Sequence, residues 1–303
     1  MTIPDPNFFL NFIVVSPQPT YVEYIGGVTV AHTLANEIAK TGENVYIYAD
    51  STKENYITTC IPWGTDLEFT SDNTVVILVS GAGEHTYLPN LPKSLVNAPN
   101  IVRWLVNHQV KLYPQSNKMY KYHNFWDTLQ GQRVDGILSI VEIDQELFTP
   151  STRARKGTCY YIKGTLDEEP GRAIHKPEDH CIDAVLYSLP ESKRMKYLSE
   201  IFSTSELFIV YSHLTTTAVL AALCGCPTLI IPKSGVDRER WLTDIWCTKY
   251  GLALGVDDMP RALETLPLIP DLIKEHLTII QPQQVQTFIA DCYQWMYNQH
   301  ITK

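Results

Sequence analysis

Apolar runs and amphipathic stretches alternate along the first half of the chain, the pattern of buried parallel strands and their covering helices. Phe8 to Val15 is apolar except at Asn11 and predicts a first strand. After a Pro-rich turn come Gly26 and Gly27, then Val28 to Thr41 with Val30, Leu34 and Ile38 at helical spacing. Gly42 ends that helix, since a helix C-terminus favours a residue tolerant of the left-handed conformation. Further strands are expected at Val45–Ala49, Thr74–Val79, Ile101–Val106 and Gly136–Val141.

Residues 145–157 carry a proline, three basic residues and a glycine, and the pattern breaks there. We place a boundary at 150, giving an N-terminal domain over 1–150 and a second alternating series over 151–282. Its strands are predicted at Cys159–Ile162, Cys181–Tyr187, Leu207–Tyr211, Thr228–Ile231 and Leu252–Leu254. Its helices are expected at Ser192–Ser203, Thr215–Cys224, Asp237–Tyr250 and Pro270–His276. The last segment, 283–303, sets Val285, Phe288, Ile289, Cys292, Tyr293 and Met296 on one face, an amphipathic helix able to lie across both domains. The fold expected is α/β, with two doubly wound domains facing a cleft. In such sheets ligands bind outside the carboxyl ends of the strands.

Composition narrows the function classes. The 303 residues are 45% hydrophobic and 19% charged, which excludes a disordered chain. No run approaches ~18 apolar residues, so no membrane span is expected. The segment Met1 to Pro6 has an acidic residue and no basic one, unlike a secretory signal. The net charge of −9, spread along the chain, argues against a nucleic-acid partner, which demands a concentrated basic surface. The seven cysteines include no Cys-x-x-Cys and read as reduced core thiols. Together these point to a cytoplasmic protein, free or peripheral to a membrane.

Two loops could carry chemistry. Gly26-Gly27, between the first strand and its helix, lets backbone approach a phosphate or a sugar hydroxyl at a helix start. It matches neither Gly-x-Gly-x-x-Gly nor a Walker loop, and a simple tight turn is the alternative. In the block Phe208 to Pro232, Ser212, Thr215, Thr216 and Thr217 crowd a helix start, where hydroxyls and unsatisfied N–H groups suit a diphosphate. Ordinary helix capping is the alternative there.

The Gly26-Gly27 helix followed by "ENVYIYAD", and "AALCGCPTLIIP" after a hydroxyl-rich turn, resemble glycosyltransferases of the GT-B fold, built from two Rossmann-like domains. More narrowly, "NIVRWLVN" (100–107), "AALCGCP" (221–227), "SGVDRERW" (234–241) and "YGLALGVDDMPRALET" (250–265) are similar to bacterial glycosyltransferases associated with surface polysaccharides. The resemblance implies a nucleotide-sugar donor held mainly by the C-terminal domain, a glycan or other hydroxyl acceptor on the N-terminal one, and no metal or other cofactor. It also implies phosphate binding by Lys163 and a sugar contact from His108. Many retaining enzymes of this fold carry two glutamates where Ser212 and Leu220 stand here. That departure keeps two other readings open, a non-catalytic glycan-binding or partner-supporting module and a nucleotide-sugar epimerase.

The candidate roles divide accordingly. Gly26, Gly27, Lys163, Ser212, Thr215, Thr216 and Arg238 are candidates for the donor and its phosphates, because a departing diphosphate accumulates negative charge. His108, His85 and Glu84 are the candidate catalytic groups, each following a predicted strand; Glu142 and Asp144 also follow one. Tyr113, Tyr120, Tyr122, Phe125 and Trp126 form either an acceptor loop or a hydrophobic cluster beneath a long loop.

Overall fold

A computed structural model of the chain describes residues 9–23, 26–68, 73–81, 84–107, 109, 111–125, 127–162, 175–213, 215–232 and 235–301. The chain divides into two compact units, one made of Met1–Glu142 with Leu277–Lys303 and the other of Ile143–His276.

The first unit is built on strands β1 (Asn11–Val15), β2 (Asn44–Tyr48), β3 (Thr59–Ile61), β4 (Thr74–Ser80), β5 (Ile101–Leu105), β6 (Lys118–Lys121) and β7 (Gly136–Ile137). They pair in parallel in the order β3-β2-β1-β4-β5-β6-β7. Strand β1 sits centrally, with Asn11 opposite Asn44 on one side and Thr74 on the other. Strands β4 and β5 are buried throughout, which is why they read as unbroken apolar runs rather than alternating ones.

Helix α1 (Gly26–Lys40) and the long terminal helix, Gln281–Ile301, cover one face of this sheet. The terminal helix sets Val285, Phe288, Ile289, Cys292 and Met296 into the core formed by Phe12, Val14, Leu34, Trp104 and Tyr120. Its polar side chains also fasten the unit: Tyr120 Oη donates to Asp291 at 2.8 Å and Tyr293 Oη to Glu43 at 2.8 Å. On the other face, α2 (Glu84–Tyr87) and α3 (Lys93–Val96) cover Ile13, Val15, Val76, Leu78 and Ile101.

The second unit has strands β8 (Thr158–Tyr161), β9 (His180–Cys181), β10 (Leu207–Val210), β11 (Thr228–Ile230) and β12 (Leu252–Leu254), parallel in the order β12-β11-β10-β8-β9. Helices α4 (Ile182–Leu186), α5 (Glu191–Thr204), α6 (Thr216–Leu223), α7 (Arg238–Asp244), α8 (Met259–Thr265) and α9 (Ile269–Glu275) connect and cover them. The terminal helix is α10.

Four sequence readings are corrected. Cys181–Tyr187 is not one strand: pairing stops at Cys181 and Ile182 opens α4, with Ile182 and Leu186 buried four residues apart. Strand β7 covers only Gly136–Ile137. Beyond it the N–H groups of Ser139 and Val141 donate to the Gln284 and Gln281 side chains, 2.7 and 2.8 Å away, instead of to a sheet. The helix expected over Asp237–Tyr250 ends at Asp244, where Ile245 turns to extended backbone. Tyr120 does not belong to a loop: it lies in β6, its ring edge-on to Phe288 with centroids 4.9 Å apart.

Candidate functional site

In each unit the strand order reverses beside the first strand of its series, and the carboxyl ends flanking that reversal are where α/β sheets receive ligands. In the second unit this point lies between β8 and β10. Tyr160 of β8 and Tyr211, which follows β10, lie there with His175, whose ring stacks on Tyr160 with centroids 3.7 Å apart and planes 5° from parallel. His175 Nε2 is 2.8 Å from the Tyr211 hydroxyl and its Nδ1 is 3.4 Å from Asp179. Burial lowers the His175 pKa against the opposing pull of Asp179. Ile162 and Ile209 join the two tyrosines in an apolar cluster.

The start of α6 follows β10 in the chain. Thr215 occupies the N-cap in extended backbone, φ −143°, and its side chain caps no backbone N–H of the helix. Its hydroxyl donates instead to Thr217 Oγ1 at 3.2 Å. Capping by Thr215 therefore does not account for these threonines, which stand at the positive end of the helix dipole. Thr216 is exposed and Ser212 half-buried. The loop before them is held by Trp241, whose indole N–H donates to the His213 carbonyl at 2.8 Å. At the other end of α6, Gly225 takes φ +74° and Arg155 donates to the Cys224 carbonyl at 2.6 Å. One of the basic residues of segment 145–157 is thus a structural clasp.

Arg238 is already engaged. Its guanidinium bonds Asp258, which also accepts from Arg261 Nε at 2.9 Å and from the Leu254 N–H at 3.1 Å. Burial alone would raise the Asp258 pKa, but these donors outweigh it and hold it at about 2. Arg238 remains half-exposed, so it can face a ligand only as part of this ion pair. The sequence reading missed Asp258: its i,i+3 pairing with Arg261 is local, but nothing in the sequence signals that Arg238, 20 positions earlier, joins them.

In the first unit the reversal lies between β1 and β4. Gly26 and Gly27 form the first turn of α1, and neither needs to be glycine for packing. A Cβ on Gly26 would meet nothing within 4 Å, and one on Gly27 would make ordinary contact with Pro17 at 3.7 Å. Gly81, after β4, is different: its φ is +126° and a Cβ would press on Asn107 at 3.0 Å. Of the catalytic candidates, Glu84 is buried, accepts the Tyr113 hydroxyl at 2.8 Å and pairs with Lys111 at 2.6 Å. Arg103 lies over the same Tyr113 ring, 5.1 Å from its centroid. His85, the next residue, is exposed. Asp144 is occupied by the N–H groups of Glu146 and Leu147 at 3.0 and 2.9 Å. Lys163, His108 and Trp126 lie outside the described residues.

Among the described residues no group of three or more His, Cys, Asp or Glu side chains is arranged to hold a metal ion, and no helix is long and apolar enough to cross a membrane.

No protein-family model matches the sequence, and no curated protein matches it. Solved structures do. AviGT4, a glycosyltransferase involved in avilamycin A biosynthesis, superposes with a TM-score of 0.50 over 95% of this chain and 98% of its own, at 13% identity. A mutant of T4 phage BGT in complex with UDP-glucose follows at TM-score 0.43, 10% identity, 96% of this chain and 98% of that one. The spinosyn forosaminyltransferase SpnP follows at TM-score 0.37, 12% identity, 93% and 99%. The chain has the α/β fold of the GT-B glycosyltransferases, two parallel-sheet units with a long C-terminal helix.

Proposed function

We propose that the chain is a metal-independent glycosyltransferase, moving a sugar from a nucleotide-sugar donor to a hydroxyl of a glycan or similar acceptor. The observation that carries this reading is the start of α6, where three threonine hydroxyls in a row stand at a helix N-terminus and the N-cap residue Thr215 lends it no side-chain cap. The fold shared with AviGT4, itself a glycosyltransferase, supports it.

In the proposed reaction the acceptor oxygen attacks the anomeric carbon, the bond to the diphosphate breaks, and the nucleoside diphosphate leaves with the charge that develops. Donors already aimed at that charge lower the barrier without reorganising. This part is proposed for the N–H groups at the start of α6, for the Ser212, Thr215 and Thr216 hydroxyls and, from the sequence resemblance alone, for Lys163. The Gly26-Gly27 turn offers a second place for close backbone approach. On the acceptor side, the hydroxyl proton is proposed to pass to His85, which is open to solvent, or to Glu84, which is buried and bonded to Tyr113 and Lys111.

Calorimetry against UDP, GDP, CDP and dTDP, each alone and as its glucose, galactose or rhamnose conjugate, tests this. Binding of at least one member is expected, weakened about tenfold or more in a Thr215→Ala/Thr216→Ala double variant. A chain that binds none of them does not have this function. Product analysis with the donor alone separates transfer and hydrolysis from isomerisation.

A further inference from the structure

A second cluster of chemically able groups lies at the carboxyl edge of the first sheet. It is assembled from the loops after β1 and β2 and from Glu142. The Glu142 carboxylate accepts the Tyr21 hydroxyl at 3.0 Å and pairs with Lys53; Lys53 also reaches Glu23 at 3.5 Å. Tyr56 stands beside Tyr21 with ring centroids 6.2 Å apart and planes at 67°, and its hydroxyl is 3.0 Å from Thr33 Oγ1.

The cluster has two layers. The lower one is buried and hydrogen-bonded: His32 is wholly buried, with Nδ1 2.9 Å from Thr52 Oγ1 and Nε2 3.2 Å from Ser16 Oγ. The upper one is open to water, with the side chains of Glu142 and Lys53 exposed by 21% and 26% and that of Glu23 by 40%. A rigid satisfied layer beneath partly exposed, mutually oriented groups is the construction a binding site needs. Core stability alone would be served as well by apolar residues, because an ion pair taken from water gains little net.

We propose that Tyr21, Lys53, Tyr56 and Glu142 form a binding site for an uncharged, hydroxyl-rich ligand, namely a sugar ring. Two carboxylates flank one ammonium, so the cluster is net negative and disfavours a phosphate. The central ammonium disfavours a cation. A carboxylate offers about four acceptor positions, and Glu142 keeps room for a ligand hydroxyl beside its protein donors. Lys53 supplies N–H donors, and the two half-buried tyrosine rings supply apolar surface for sugar C–H groups. Assigning the site to the acceptor rests on the transferase reading; sugar binding itself does not.

Saturation-transfer NMR with the methyl glycosides of glucose, galactose, rhamnose and N-acetylglucosamine decides it. At least one is expected to bind the full chain, with affinity falling about tenfold or more in Glu142→Gln and severalfold in Tyr21→Phe. Thermal melts accompany both variants, and where Glu142→Gln does not fold, Tyr21→Phe carries the decision. The inference is overturned if none of the four binds the wild-type chain, or if a bound glycoside keeps its affinity within about twofold in every variant that folds. Nucleotide binding without glycoside binding removes this inference alone. Glycoside binding without nucleotide binding upholds the site and removes the donor reading.

Discussion

His32 is a histidine that the fold keeps uncharged. Burial pushes its pKa down to about 4, the nearby charge of Glu142 opposing this only in part. The unfolded chain therefore binds the proton more readily than the native one between about pH 6.5 and about pH 4. The stabilisation from this residue is complete above about pH 6.5 and is lost as pH falls toward about 4, on the order of 3 kcal/mol in all. Chemical denaturation across that range should show the loss, and His32→Gln should flatten it; an unchanged slope in the variant would assign the limb to other groups. Asp258 acts at lower pH. Its pKa of about 2 means stability present above about pH 4 that disappears as pH falls toward about 2. Asp258→Asn also leaves Arg261 and Arg238 without their counter-charge. A cost of about 1–3 kcal/mol is expected by urea denaturation.

At the scale of the element, glycines separate structure from function. In the first turn of α1, Gly26 and Gly27 have helical backbone and room for a methyl group. Replacing Gly26 by alanine should raise stability by about 0.5–1 kcal/mol, because glycine is the poorer helix former. If ligand backbone contact is what glycine serves there, the same variant should lose nucleotide or sugar binding while its melting temperature rises. Gly251→Ala is the opposite case: φ is +67° and the new Cβ would lie 2.6 Å from Ile269 Cγ1, so a marked drop in melting temperature is expected.

Elements marked by an unbroken apolar run or by a clear helical period were legible. Strands β4 and β5, helix α1 and the apolar face of α10 all stand where their apolar residues put them. What periodicity hides is short or decided by partners far along the chain. The run Cys181–Tyr187 is apolar enough for a strand, yet only its first residue finds an edge to pair with. Lys118–Lys121 reads as polar loop, yet forms β6 because Tyr120 packs on Phe288, far away in sequence. The site divided the same way. Thr215 to Thr217 were marked by hydroxyls at a helix start, a local signal. The engagements of Arg238 with Asp258 and of Glu142 with Lys53 join residues 20 and 89 positions apart, which spacing does not reveal.

The whole molecule carries one consequence of chain order. The first unit is discontinuous, because its core is completed by residues 277–303, whereas the second unit is a single stretch, Ile143–His276. A fragment ending at 276 therefore keeps every strand of the first sheet but exposes the face of Phe12, Val14, Leu34 and Trp104 that α10 covers. It also releases the N–H groups of Ser139 and Val141 from the Gln284 and Gln281 side chains. Large-to-small change at even one such buried aromatic costs about 3–5 kcal/mol, a large part of the ~5–15 kcal/mol by which domains are stable. Phe288→Ala in the intact chain should thus melt the first unit early. The truncated chain should lose its protected amides in β1, β2, β4 and β5 while those of β8, β10 and β11 persist. Hydrogen exchange read by mass spectrometry distinguishes the two sets directly. Equal loss in both units would show that the second unit does not stand as an independent folding element.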